Sequence, residues 1–227
     1  MRVVSWNIEF GELVDQAGHE LISLPDLSGA DLVLLQEMDE PGTRTIAERL
    51  GVDFVFAAAA SHPETGRDMG NAILSRWPIG TTTEIDLPHV ARVSGQARSA
   101  VRAVVSIEGQ AVDVYSVHTE TVLLPFARRR EQFATLVDDI AARATERVVV
   151  GGDFNTARVR EVDTLTSLMG AADLHAVSQR SGATFRRFGR SFTLDHVFAR
   201  GLMAHGSGVV TEATASDHLP VWVDLEL

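Results

Sequence analysis

Apolar positions in this chain fall into short runs, and those runs repeatedly finish in polar residues. Residues 3–8 form the first such run, passing through Trp6 into Asn7, and residues 31–37 form a second, ending in Gln36-Glu37. Unbroken β-branched and leucine-rich runs of this length read as buried strands. Residues 54–58 give another. Residues 81–87 and 99–107 alternate, as half-buried strands do, and Gly109 closes a hairpin into residues 111–117, which deliver His118-Thr119. Arg147 to Val150 run into Gly151-Gly152 and then Asp153 and Asn155, a strand whose exit needs a sharp turn or a close approach. Residues 193–198 and 221–225 complete the strands. Between them, helical spacing is expected over 12–27, over 41–50 with Gly51 as stop, and over 159–169 with Gly170 as stop. The strongest helical stripe runs over 125–144, through Phe126, Phe133, Leu136, Val137 and Ile140. Loops are expected at 61–70, 88–98 and 178–190. Helices alternate with strands but hairpins also occur, so an α/β chain with mixed rather than purely parallel sheets is expected.

Composition narrows the partners more than the fold. The 227 residues are 45% hydrophobic and 22% charged, which suits one domain spanning 1–227 with an ample core. A net charge of −11 argues against a surface that grips duplex nucleic acid by neutralising phosphates, although a site cation can supply positive charge locally. The chain has no cysteine, which excludes disulfides, thiolate catalysis and cysteine–zinc centres. No apolar run approaches the ~18 residues of a membrane span. The first residues already read as a strand rather than a signal segment, so a cytoplasmic location is the expectation.

The polar strand tips are Asn7, Glu37, His118, Asp153 with Asn155, Asp195, and Asp217 with His218. Alone, each is an ordinary turn former or a structural histidine. Together they are hard to obtain from turn chemistry, and they are the residue types of phosphate and metal chemistry. The segments SWNIE (5–9), LLQEM (34–38), GNAILSR (70–76), YSVHT (115–119), GGDFN (151–155), TLDHVF (193–198) and SDHLPV (216–221) resemble, in order, the endonuclease/exonuclease/phosphatase superfamily. This superfamily of Mg-dependent phosphoesterases includes DNase I-like nucleases and AP endonucleases. The resemblance implies a four-layer α/β sandwich, two packed mixed β-sheets flanked by helices. It implies Glu37 as main metal ligand beside Asn7 and Asp217, hard oxygen donors suited to Mg²⁺ or Mn²⁺. It also implies His218 as general base or phosphate grip oriented by Asp195, Asp153 aligning or deprotonating water, Asn155 donating to the developing oxyanion, and His118 holding another phosphate oxygen.

Several other residues read as packing or surface. His196, next to Asp195 on a strand, should face away and pack. Arg128 to Arg130 read as a solvated helix start, whereas Arg186, Arg187 and Arg190, with Asn71, are candidates for contacting substrate. The expected activity is a metal-dependent phosphodiesterase or nuclease-like hydrolase. The alternatives are a phosphomonoesterase, a lipid-headgroup or inositol phosphate hydrolase, or a silent binding protein on the same scaffold. No hydrophobic hairpin for membrane docking is read from the sequence, and the oligomeric state is not legible in it.

Overall fold

The computed structural model describes residues 1–62, 65–91, 95–178, 182–187 and 189–227. The strands are β1 Arg2–Asn7, β2 Leu32–Met38, β3 Asp53–Ser61, β4 Asp68–Ser75, β5 Ile79–Leu87, β6 Arg98–Ile107, β7 Gln110–His118, β8 Arg147–Asp153, β9 His175–Ala176, β10 Phe185–Arg187, β11 Arg190–Phe192, β12 Asp195–Arg200, β13 Met203–Val209 and β14 Val221–Glu226. The helices are α1 Val14–Ser23, α2 Glu40–Leu50, α3 Phe126–Ala141 and α4 Val159–Gly170, with a 3₁₀ turn at Glu9–Gly11.

Two six-stranded mixed sheets result, ordered β13-β14-β1-β2-β4-β3 and β5-β6-β7-β8-β12-β9. Period-two alternation sorts each strand's residues between two faces. Val3, Leu32, Leu34 and Ile73 of the first sheet meet Val101, Val114, Val149 and Val197 of the second in a buried inter-sheet core. The opposite face of the first sheet, with Val4, Trp6, Val33 and Leu35, packs under Ala17, Leu21, Ile46 and Ala47 of α1 and α2. The outer face of the second packs Tyr115, Val148 and Val150 under Phe133, Leu136, Ile140 and Leu165 of α3 and α4. The architecture is therefore a four-layer α/β sandwich.

Local chemistry fixes the element ends. Asp39 caps α2 by accepting from the Gly42 N–H at 2.8 Å, and Gly51 stops it in the left-handed region at φ 67°. The helix expected over 12–27 is shorter, running Val14–Ser23, because Leu13 is not helical and Leu24 is already extended. The Gly151-Gly152 pair is forced by close approach. A Cβ on Gly151 would lie 2.6 Å from Leu34 Cδ1 across the sheets, and one on Gly152 would meet the Val117 carbonyl at 1.9 Å. Strands enter the three expected loops: β3 and β4 reach into 61–70, β6 begins at Arg98, and β10 and β11 cover Phe185–Arg187 and Arg190–Phe192. Residues 63–64, 92–94, 179–181 and 188 in those stretches lie outside the described residues. Among the described residues, no helix is long and apolar enough to cross a membrane.

Candidate active site

β1 pairs parallel with β2, and β7 pairs parallel with β8, so in each sheet two strands run in the same direction and finish together. Register then sets the neighbours: His118 lies opposite Asp153, and Asp153 opposite Asp195 on antiparallel β12. The loop before β14 brings Asp217 and His218 to the same edge. Asn7, Glu37, His118, Asp153, Asn155, Asp217 and His218 line one cavity of about 510 Å³. Asp195 stands behind them, 2.9 Å from His218 Nδ1. The structure thus brings together all eight residues expected to carry chemistry.

Two of them sit in strained backbone. Glu37 has φ 57° and Asn155 φ 51°, in the left-handed region that side chains with a Cβ rarely adopt. At Glu37 the β2–β4 register passes from Gln36↔Asn71 to Met38↔Gly70, so Glu37 is the extra residue of a bulge. A bulge re-aims a side chain, and here it turns the carboxylate toward the cavity. Such strain persists only where the surroundings over-determine it.

Hydrogen bonds hold the cluster. Asn7 Nδ2 donates to Asp153 Oδ2 at 3.1 Å while its Oδ1 accepts from the Glu9 N–H. Asp153 Oδ1 accepts from the Asn155 N–H, and Asn155 Nδ2 donates to the Thr119 carbonyl at 3.0 Å. Trp6 Nε1 donates to the His218 carbonyl, and Ser216 Oγ to that of Asn7. Arg98 Nη1, which can only donate, lies 3.4 Å from His118 Nδ1. His118 therefore carries its hydrogen on Nε2, which faces Asp153 Oδ2 at 3.5 Å and Glu37 Oε1 at 3.8 Å.

Proton affinities are shifted in opposite senses. Burial, with the Arg98 and His218 cations adding, pushes His118 well below the usual imidazole range and keeps it neutral. Burial also lowers His218, but the Asp195 and Asp153 carboxylates outweigh it and the net shift is upward. Burial raises Asp153, with Asp195 adding and His218 opposing. Glu37 is raised by burial, with Arg98 and His218 opposing.

This is a site with more acid than its own cations balance. Glu9, Glu37, Asp153 and Asp217 line the cavity, and Arg187 is the single arginine or lysine among the described lining residues. Asp195 Oδ1 is buried without a hydrogen-bond donor among the described residues. Asp153, Asp195 and His218 lie close enough to hold a metal ion. Glu37, Asn7 and Asp217 line the same cavity and carry oxygen donors, the chemistry that hard divalent cations take. The residues present fit a divalent metal.

Asn71 is buried beside the site, donating to the Ser99 carbonyl at 2.9 Å, in a small cavity it shares with Glu37, Arg98 and His118. On the β10–β11 hairpin, Arg187 lines the main cavity, while Arg186 and Arg190 are exposed and outside its lining. His196 packs away from the cavity, as expected, against Phe154 and Phe198, with Nε2 2.7 Å from Thr156 Oγ1. Arg129 corrects the expectation of a solvated helix start. It is 2% exposed, bonded to Glu161 at 2.9 Å, and donates to the Asn155 carbonyl at 2.7 Å. Sequence reasoning also missed Arg98, which lies against His118, the cavity-lining Glu9 and Phe10, and the hairpin that places Phe185 against His218, with ring centroids 4.7 Å apart.

The Endonuclease/Exonuclease/phosphatase family model matches residues 4–218. No curated protein matches. An endonuclease/exonuclease/phosphatase from Bacteroides vulgatus is similar at TM-score 0.79 and 19% identity, over 100% of this chain and 98% of that one. D. rerio TDP2, solved with single strand DNA product, gives TM-score 0.79 and 18% identity over 100% and 99%. The Bacteroides thetaiotaomicron mannosyl-6-phosphatase gives 0.77 and 19% over 100% of both chains. With its matched segments converging on one acidic cavity, the chain belongs to the endonuclease/exonuclease/phosphatase family.

Proposed function

We propose that this phosphoester hydrolase cleaves a phosphodiester by in-line attack of water, with Mg²⁺ or Mn²⁺ held by Glu37, Asn7 and Asp217. The observation that carries the reading is the aim of Glu37. A bulge at φ 57° points its carboxylate into the cavity, with Oε1 3.8 Å from His118 Nε2, too far for a hydrogen bond. What a bound cation supplies is neutralisation of phosphate charge.

The chain's own residues supply the rest. Asp153, raised in proton affinity, aligns the attacking water and takes its proton. His218, held by Asp195 and flanked by Asp153, favours its charged form and grips a phosphate oxygen. His118 presents Nε2–H to a second oxygen. Asn155 keeps one amide hydrogen beyond the one given to Thr119, and directs it to charge developing on oxygen. One similar structure holds a single strand DNA product and another is named a mannosyl-6-phosphatase, so likeness alone leaves the ester type open. The cavity extends well beyond its polar floor, which leaves room for a second ester arm and favours a diester.

Hydrolysis of bis(p-nitrophenyl) phosphate and of p-nitrophenyl phosphate, each with Mg²⁺, Mn²⁺ or EDTA, tests this. Cation-dependent turnover should favour the diester. Glu37→Ala should reduce it by about 10²-fold or more while the thermal transition stays near that of the parent. Undiminished activity in Glu37→Ala would remove the metal assignment. Preference for the monoester would replace the diesterase reading with a phosphatase.

A further inference from the structure

The cavity has two unlike halves. Its floor is the polar cluster; its wall is apolar, with Phe185 and Phe192 of the hairpin, Leu194 just before β12, and Val122 and Phe10. The wall grows directly out of the chemistry. The Phe185 ring lies 4.7 Å from the His218 ring and 6.4 Å from the Phe192 ring, which is opposite Phe185 across the two strands. Period-two geometry puts both phenylalanines on one face of the hairpin. Val122, also lining the cavity, is 55% exposed, an apolar side chain that folding alone does not bury.

Charge limits what this wall can receive. Four carboxylates line the cavity against Arg187, and the chain carries −11 overall. One divalent cation, His218 and Arg187 bring four positive charges against these four carboxylates, so the site holds no surplus of positive charge for additional phosphates. Further phosphates on the same molecule would meet Glu9, a cavity carboxylate with no part in holding the cation.

Resting on the phosphodiesterase reading, we infer that the substrate is a phosphodiester with a single charged phosphate and one uncharged arm, aromatic or otherwise apolar, that lies against Phe185 and Phe192. In the step itself the water oxygen bonds to phosphorus as one P–O ester bond breaks. The departing alkoxide takes up a proton, leaving an alcohol or phenol and a phosphomonoester. Polyphosphorylated inositols and long nucleic acid strands are outside this class.

Phenyl p-nitrophenyl phosphate and methyl p-nitrophenyl phosphate share a leaving group and differ in the second arm, so their kcat/KM ratio reads the wall. A ratio of about ten or more is expected, the scale of one desolvated aromatic contact. Phe192→Ser should bring that ratio toward one. A measurement without a variant stands beside it: phenylphosphonate should bind the parent protein, with Mg²⁺, about tenfold more tightly than methylphosphonate. Equal ratios, equal phosphonate affinities, or faster cleavage of an oligonucleotide or an inositol trisphosphate would overturn the inference. If no ester is cleaved with either cation, the hydrolase reading fails, and the phosphonate affinities still decide the apolar wall.

Discussion

His218 Nδ1 lies 2.9 Å from Asp195 Oδ2, and this contact decides which nitrogen of the imidazole faces the cavity. With Nδ1–H committed to a 1%-exposed carboxylate, Nε2 is directed to the Asp153 side, 3.7 Å from its Oδ2. Asp195→Asn keeps the shape but exchanges a strong charged acceptor for an amide whose NH₂ competes for the same nitrogen. The expected result is a kcat lowered by about 10²-fold or more with a smaller change in KM, measured on a bis-aryl phosphate. Unchanged kcat would detach Asp195 from the chemistry.

His196 gives the protein an acid sensitivity separate from turnover. Burial lowers its proton affinity to about 4, with the neighbouring Asp195 carboxylate opposing, against an ordinary value of 6.5. Between those two pH values the unfolded chain binds this proton and the folded chain does not. Stability therefore falls as pH drops through that window, by up to about 3 kcal/mol from this group, and levels off below it. Urea titrations at several pH values should show a flatter acid limb for His196→Asn than for the parent. Parallel limbs would mean that His196 has no part in the acid loss.

How much of this was legible in the sequence depends on the kind of contact. The strand tips were legible because an apolar run ending in Asn, Glu, His or Asp is a local signal, and the parallel pairing then carries those tips to one edge. The aim of Glu37 was not, since it depends on a bulge against β4, a partner 34 residues away at Asn71. Arg129 hid among three arginines at a helix start, although helical phase places it with Gln132, Phe133 and Leu136 on the buried face. β13 was missed because Gly206 and Gly208 break its alternation. Their reason is tertiary: a Cβ on Gly208 would lie 2.6 Å from Trp222 Nε1.

The bulge at Glu37 sets stability against activity. Glycine adopts φ 57° without the Cβ penalty, and its introduction also removes a carboxylate that burial already disfavours. Glu37→Gly is expected to raise unfolding free energy by about 1 kcal/mol while abolishing cation-stimulated hydrolysis. Denaturant midpoints and turnover measured on one preparation check both halves. A less stable Glu37→Gly protein would mean that the carboxylate earns its place in the fold rather than in the site.

Arg129 and Glu161 separate holding the fold from holding the site. Glu161 Oε1 accepts from Arg129 Nη2, its Oε2 accepts from the Ala157 N–H, and Arg129 Nη1 and Nε donate to the carbonyls of Asn155 and Leu124. One ion pair, fully buried, thus fastens both sides of the loop that keeps Asn155 at φ 51°. Removing one partner leaves the other charge buried, so Arg129→Met should destabilise by about 3 kcal/mol or more. Arg129→Met combined with Glu161→Leu removes both charges and should recover most of that loss, because apolar replacement of a buried pair is often close to neutral. Activity should not return with stability: the Asn155 carbonyl has lost its donor, so kcat stays low in the double variant while KM moves little. Recovery of kcat together with stability would show that the pair only packs α3 against α4, and that Asn155 is held in place by Asp153 and Thr119 alone.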